Sequence, residues 1–263
     1  MYDLDVDIIL TSNGLKNEIQ NIILNPNQNV IIMSFEEFID KRLLVDNRAI
    51  GNGRHFDYYL RIIDRWTSIN INTIFEVGAN YGQDAEYCRL VTGANSKNIY
   101  TFEANPNISR AIDVRYDFNN YNVAVSEYDG EVIIKMVPPE EANSGISTIA
   151  DYEYAKEYAK ATVKCIRMDS FLSARKEINE IDLLKIDVEG VNYEVLKGFD
   201  NKLNIVKCIQ IEAEHVSGFK GHNLFPHIYQ LLSENNFEMV DYILHEPGVQ
   251  SDSLWIRRDM LGV

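Results

Sequence analysis

A short apolar run that ends in a carboxylate and two glycines constrains this chain more than any other feature of it. Thr73-Ile74-Phe75-Glu76-Val77 reads as a buried strand, Gly78-Ala79-Asn80-Tyr81-Gly82 as a tight turn, and residues 82–91 as a helix. With no Cβ at Gly78 and Gly82, the backbone can turn sharply and come close to a ligand. Strand and helix signals then alternate to the end of the chain. Strands are expected at 98–102, 122–125, 131–137, 162–168, 181–186 and 206–211, and Pro106 suits the first position of a helix. Residues 237–244 and 253–257 are expected to pair as antiparallel edge strands. This alternation implies an α/β fold, a mostly parallel sheet with helices on both faces and an antiparallel C-terminal edge. Ligands of such sheets bind beyond the carboxyl ends of the strands.

Residues 1–70 read differently, as an N-terminal extension or cap on a main domain of residues 71–263. Ile8-Ile9-Leu10 and Val30-Ile31-Ile32-Met33 are short apolar runs separated by an Asn-rich stretch. Ser34 is suited to cap a helix carrying Phe35, Phe38 and Ile39 on one face, and Gly51-Asn52-Gly53 marks a turn. Tyr58, Tyr59, Ile62, Ile63 and Trp66 recur at helical spacing, which predicts an amphipathic helix packed onto the main domain.

Composition narrows the partners. The net charge is −15 and no Lys/Arg run overrides it locally, which argues against a nucleic-acid substrate. Cys88, Cys165 and Cys208 are odd in number and far apart, so core packing is expected rather than a disulfide framework or a zinc site. Met1-Tyr2-Asp3-Leu4-Asp5 lacks the basic stretch and apolar core of a signal peptide, and no apolar run is long enough to span a bilayer. The expected compartment is the cytoplasm, with no integral membrane segment. The oligomeric state is left open.

Three elements at strand ends carry candidate chemistry. Glu76 ends its strand with a carboxylate that would repel a pyrophosphate but suits a cationic or amine-bearing ligand. Asn80 stands where the dinucleotide fingerprint needs its second glycine, and no Gly-Lys-Ser/Thr follows, so neither phosphate motif is present. Glu103 ends the next strand, where an acid can accept hydrogen bonds from both hydroxyls of a ribose. Leu184-Lys185-Ile186-Asp187-Val188-Glu189-Gly190 runs a third strand into two acids. Asp187 and Glu189 could orient a substrate, take a proton or hold a metal, or could simply cap the helix carrying Tyr193, Val195 and Leu196.

Taken in order, Glu76-x-Gly78-x-Asn80-x-Gly82, Glu103-Ala104-Asn105-Pro106, Met168-Asp169-Ser170-Phe171-Leu172 and Lys185-Ile186-Asp187-Val188-Glu189-Gly190 with Leu196-x-Gly198 resemble the FkbM family of methyltransferases. The likeness runs from about residue 73 to the C-terminus. The Lys-Ile-Asp-Val-Glu-Gly string is its most specific piece, whereas the glycine motif is shared with many other methyltransferases. The resemblance implies a class I methyltransferase fold (Rossmann-like) and S-adenosylmethionine as donor, with S-adenosylhomocysteine as product. It also implies O-methylation of a natural product, sugar or glycan. By position it implies that Glu76, Gly78, Asn80 and Gly82 line the methionine part of the cofactor and that Glu103 binds its ribose. Asn105 and the 122–125 stretch, with Asn122 and Ala124, would lie beside the adenine. Asp187 and Glu189 would stand at the reaction end, Asp187 also against the cofactor. Ala104 stands where the family often carries proline, a change expected to affect only loop stiffness.

Methyl transfer is an in-line displacement, and a hydroxyl nucleophile must lose a proton. His215, which follows the strand Ile209-Gln210-Ile211-Glu212, is the first candidate base and Asp187 the second. His222 and His227 are less favoured. Asp187, Glu189, Glu212 and Glu214 could converge on a divalent metal, but such acids are also common in metal-free sites and no metal is expected. The 144–147 loop, preceded by Pro138-Pro139, could close over a substrate, and Tyr152, Tyr154 and Tyr158 could stack on a sugar ring or pack a helix. The expected acceptor is a small molecule, including a sugar linked to a nucleotide. The alternatives are N-methylation of an amine or amide, with the acids holding the cation, and a nucleoside-binding module without catalysis. A dehydrogenase is disfavoured by Glu76 and the missing glycine.

Overall fold

The computed structural model describes residues 7–11, 30–34, 54–136, 147–150, 159–216, 223–246 and 249–262. Two compact units divide the chain, Met1–Arg54 and His55–Val263. In the first, β1 (Asp7–Thr11) and β2 (Val30–Ser34) pair in parallel, so both apolar runs are strands. Ser34 ends β2; the helix expected at 35–39 and the turn at Gly51-Asn52-Gly53 lie outside the described residues.

The second unit opens with helix α1 (Arg54–Trp66), followed by β3 (Ile74–Val77), α2 (Gln83–Thr92), β4 (Ile99–Phe102), α3 (Pro106–Arg115) and β5 (Asn119–Tyr121). Next come β6 (Ala124–Val125), β7 (Gly130–Met136), β8 (Ala159–Ile166) and α4 (Met168–Ser173). The unit closes with β9 (Ile181–Ile186), α5 (Asn192–Phe199), β10 (Val206–Glu214), α6 (Phe225–Glu234), β11 (Phe237–Glu246) and β12 (Gln250–Arg257). A seven-stranded sheet has the order β11-β12-β10-β9-β3-β4-β5. Its strands from β10 to β5 run parallel, and β12 is antiparallel to both β10 and β11.

Side-chain alternation splits the core between the two faces of this sheet. One face buries Phe75, Leu184, Ile186, Ile209, Ile211 and Trp255 under α4, α5 and α6. The other buries Ile74, Ile99, Leu183, Cys208 and Leu254 under Tyr59, Leu60 and Ile63 of α1 and Ala85 and Cys88 of α2. The helical spacing of the α1 aromatics thus marks a packing face, although Trp66 at its end stays exposed. All three cysteines are buried and unpaired, as core packing requires.

Three strand expectations need correction. The third parallel strand is β5, Asn119-Asn120-Tyr121, rather than residues 122–125. It lies at the sheet edge, where Tyr121 stacks on Phe102 and the two asparagines are tied down by their amides: Asn119 donates to the Lys97 and Ile99 carbonyls, and Asn120 to Ser109 and Asp113. Residues 124–125, 130–136 and 159–166 form a separate three-stranded sheet, β6-β8-β7, with its own core of Ala124, Ile134, Met136, Val163 and Cys165. Finally, β11 and β12 pair antiparallel at the C-terminal edge as expected, but β12 is the inner of the two. It is inserted between β10 and β11, and its residues from Ser251 to Ile256 are buried on both faces.

Candidate active site

At the carboxyl end of β3 the chain leaves the sheet through Gly78, Asn80 and Gly82, all three at positive φ (80°, 47° and 72°). Glycine is required at the first. A Cβ on Gly78 would lie 2.0 Å from the Asp187 carbonyl oxygen. The amides of Gly78 and Ala79 both donate to the Phe102 carbonyl, so the turn is pinned between the ends of β4 and β9.

Glu103, 7% exposed, closes this turn from the β4 side. Its Oε2 accepts from the Asn80 amide (2.8 Å) and its Oε1 from the Asn105 amide (2.7 Å). Burial pushes its carboxyl up to about 7, against the pull of these two amides. Asn122 donates to the Glu103 and Ala104 carbonyls and holds the same loop from behind. Asn105 caps α3 by accepting from Asn107, and Ala124 is buried in the small sheet's core. The Oδ1 of Asn80 is buried with no hydrogen-bond partner, an open acceptor inside the glycine turn.

Beneath the turn lies a buried ion cluster whose cation, Lys185, is 5% exposed. Its Nζ is 2.9 Å from Asp187 Oδ2, 3.0 Å from Asp84 Oδ2 and 3.7 Å from Glu76 Oε1. Burial opposes the ammonium charge, but Asp187, Asp84 and Glu76 outweigh it and hold Lys185 well above its usual range. Burial also pushes Glu76 up to about 8, although Lys185 and the Ala85 amide pull it down. One ammonium therefore ties together the ends of β3, α2 and β9. Neither Asp187 nor Glu189 caps α5; Asn192 instead accepts from the Val188 amide, and the Glu189 carbonyl accepts from Thr148.

Further along the sheet, Glu212 of β10 stands opposite Asp252 of β12. Ile211 pairs with Ile186, so Glu212 is also one strand away from Asp187. Burial first, then the charges of Asp187, Glu189, Asp252 and Glu214, pushes Glu212 up to about 10. Glu189 is raised to about 7 by burial, with Asp187 and Glu214 adding to it. Among the described residues no group of three or more His, Cys, Asp or Glu side chains is arranged to hold a metal ion.

These raised carboxyls make stability depend on pH. A carboxyl whose folded pKa is raised stabilises fully below its unfolded value near 4.5 and loses that contribution as pH climbs to the folded value. Stability is therefore expected to fall between about pH 5 and pH 10. Glu212→Gln, which cannot ionise, should be more stable than wild type by about 1–3 kcal/mol at pH 8 and nearly equal to it at pH 5. Urea melts at the two pH values check this, and equal differences at both would refute it.

The histidines separate by face. His215 shares its Nε2 with Ser251 Oγ and Tyr242 OH, both at 2.9 Å, and its ring packs on Phe225 of α6. It thus lies on the α6 side of the sheet, while Glu212 and Glu214 occupy the alternate positions of β10. His227 accepts from the Leu224 amide at the start of α6. His222, the loop at 144–146, Pro138, Pro139, Tyr152, Tyr154 and Tyr158 lie outside the described residues. His245, which nothing in the sequence pattern singles out, stands beside the carboxylates: its Nε2 is 2.6 Å from Asp252 Oδ2. Gln210 Nε2 donates to the other oxygen of Asp252 (2.9 Å). Only the pairing of β12 with both β10 and β11 brings His245 here, from a strand distant in the chain from Asp187.

A glycine turn after β3, an acid after β4 and an antiparallel strand inserted beside the edge of a parallel sheet define a Rossmann-like domain of the class I methyltransferase type. Residues 76–239 match the methyltransferase FkbM domain, and the chain belongs to that family. It is 27% identical over 153 residues to the hexuronic acid methyltransferase AglP of Haloferax volcanii, covering 54% of this chain and 55% of that protein. The chain thus spans about half the length of this curated relative. Among solved structures it is similar to the methyltransferase FkbM of Methylobacillus flagellatus (10% identity, TM-score 0.44, covering 95% of this chain and 73% of the other). It is also similar to the magnesium protoporphyrin IX methyltransferase of Synechocystis with bound SAM (9% identity, TM-score 0.41, 92% and 97%). Among the described residues no helix is long and apolar enough to cross a membrane.

Proposed function

We propose that this chain transfers a methyl group from S-adenosylmethionine to a hydroxyl of a sugar, a glycan precursor or another small natural product. The observation that carries the reading is the Glu103 carboxylate, buried at the end of β4 and aimed by two backbone amides into the glycine turn. The donor fits the residues present. Each Glu103 oxygen keeps a lone pair for a ribose hydroxyl, and the unpartnered Asn80 Oδ1 offers an acceptor to the ammonium of the methionine part. In this assignment Glu76, Gly78, Asn80 and Gly82 surround the methionine end, Asn105, Asn122 and Ala124 the adenine end, and Asp187 the sulfur end. The sugar reading is supported by the name of the relative from Haloferax volcanii.

When bound, the donor supplies an electrophilic methyl carbon on a sulfonium. Asp187, held by Lys185, and Glu189 orient the acceptor beside it. The proton of the hydroxyl goes to His245. Asp252 holds the Nε2 of that ring, which orients the imidazole and favours its taking up a proton. The hydrogen bond to Asp252 raises the His245 pKa, with burial opposing and Asp187 adding to it. His215, already engaged by two hydroxyls on the α6 side, has the second claim on this role. N-methylation of an amine is the alternative that the carboxylates at Asp187 and Glu189 favour, because an amine needs less help from a base.

Calorimetric titration with S-adenosylmethionine and S-adenosylhomocysteine, with NAD as control, tests the cofactor assignment. Both sulfur nucleosides should bind in the micromolar range, and Glu103→Ala should weaken them roughly tenfold to a hundredfold while the variant still melts cooperatively. Undiminished affinity in that variant would remove Glu103 from the ribose. His245→Asn should lower kcat by about 10²–10⁴ and abolish its decline at low pH, whereas unchanged turnover would favour the N-methylation reading.

A further inference from the structure

On one face of β10, Gln210, Glu212 and Glu214 recur at every second residue, and the side-chain alternation of a strand brings all three to the same side. Each ends in a buried oxygen without a hydrogen-bond partner: Gln210 Oε1, Glu212 Oε2 and Glu214 Oε1. Gln210 is 3% exposed and Glu214 4%. The Gln210 amide is anchored through Nε2 on Asp252, so its open oxygen belongs to the same cluster as the carboxylates. Buried acceptors left unmade are costly, and three in a row on one strand call for a ligand that brings donors.

The charge of the surroundings sets what kind of donor. Asp187 and Glu189 follow β9 on one side, and Asp252 faces Glu212 from β12 on the other. The ion pairs of this region engage Lys185 with Asp187, Asp84 and Glu76, and His245 with Asp252. Lys185 is thus shared among three carboxylates and His245 is held by Asp252, so Glu189, Glu212 and Glu214 gain no cation from these pairs. An anionic ligand would meet the Asp187 and Asp252 carboxylates and push the buried glutamic acids further toward their neutral form, whereas hydroxyls and an ammonium would satisfy the open oxygens.

We propose that the Gln210-Glu212-Glu214 row, flanked by Asp187, Glu189 and Asp252, is the acceptor subsite, and that it takes a hydroxyl-rich acceptor without negative charge, a neutral or amino sugar. The inference rests on the methyltransferase reading and sets this chain apart from a relative named for a hexuronic acid. An ammonium seated in the row would lower the pKa of the carboxyls that burial holds high, Glu212 and Glu189 first, with Glu214, Asp187, Asp252 and His245 facing them. Binding of an amino sugar would therefore release protons.

The test is a calorimetric titration with methyl β-D-glucopyranoside, its 2-amino-2-deoxy analogue and methyl β-D-glucopyranosiduronic acid. It is run on the free protein and on the protein loaded with S-adenosylhomocysteine, in two buffers of different ionisation enthalpy. The neutral and amino glycosides should bind at least tenfold more tightly than the uronide, and the amino glycoside with proton release. Glu189→Gln should narrow the ratio of amino glycoside to uronide by threefold or more. Equal or tighter binding of the uronide overturns the proposal, as does binding of none of the three or a ratio unmoved in Glu189→Gln. The titration of S-adenosylhomocysteine itself reads the methyltransferase assignment separately. Its failure, with the order among glycosides preserved, would leave the subsite standing and remove the donor.

Discussion

Lys185→Met is expected to destabilise the folded chain by about 3–5 kcal/mol, the usual effect of removing one partner from a buried ion cluster. The ammonium is 5% exposed and is shared by three carboxylates from three elements. Methionine fills much of the same volume, so the loss would report charge rather than a cavity. Without the cation, Glu76 at 2% exposure and Asp187 would face each other uncompensated, and the Glu76 carboxyl would rise further. The destabilisation should therefore grow with pH, because the variant resists deprotonation that the wild type tolerates. Adding Glu76→Gln to Lys185→Met should recover part of the loss by removing one of the stranded charges. Urea melts at pH 6 and pH 8 measure all of this. A loss below about 1 kcal/mol would mean that the carboxylates are not held by Lys185.

Gly78→Ala should be nearly as damaging, for a steric reason. The residue sits at φ 80°, and the added Cβ would lie 2.0 Å from the Asp187 carbonyl oxygen and 2.9 Å from Val188 Cγ1. Left-handed backbone costs an alanine roughly 1–2 kcal/mol, and forcing β3 and β9 apart adds roughly 1–3 kcal/mol. The strain falls on the turn that presents Asn80 to Glu103, so affinity for S-adenosylhomocysteine should drop at least a hundredfold. Gly82→Ala provides the contrast, since at φ 72° it bears the same left-handed cost but its Cβ would meet side chains, the Tyr116 ring at 3.2 Å and Ile112 Cγ1 at 3.6 Å, rather than backbone. Equal losses in both variants would rule out the contact with Asp187 as the cause.

Much of the candidate site was legible in the primary structure because its main parts are local. The glycine turn, Glu103 and the Lys-Ile-Asp-Val-Glu-Gly string each follow an apolar run, and hydropathy locates such runs well. Since parallel strands bring their carboxyl ends to one side, the alternation of elements sufficed to gather these residues. β5 escaped the same reasoning because Asn119-Asn120-Tyr121 is a strand held by side-chain hydrogen bonds at an edge, where burial writes no apolar pattern. Residues 130–136 and 159–166 were legible as strands, but their pairing in a separate sheet was not, because two strands of similar hydropathy carry no label for the sheet they join.

Residue type at short range settled the alternation of strands and helices from β3 onward apart from β5, the sharp turn at Gly78 and the family to which the chain belongs. Tertiary structure alone decided where Lys185, Gln210, Asp252 and His245 stand relative to one another. The insertion of β12 between β10 and β11 puts Asp252 opposite Glu212 and carries His245 to it, while His215 turns to α6 on the other face. The physical reason is that hydrogen-bonded pairing between distant strands sets which side chains share a face, and that pairing is specified by the packed core as a whole rather than by any one segment.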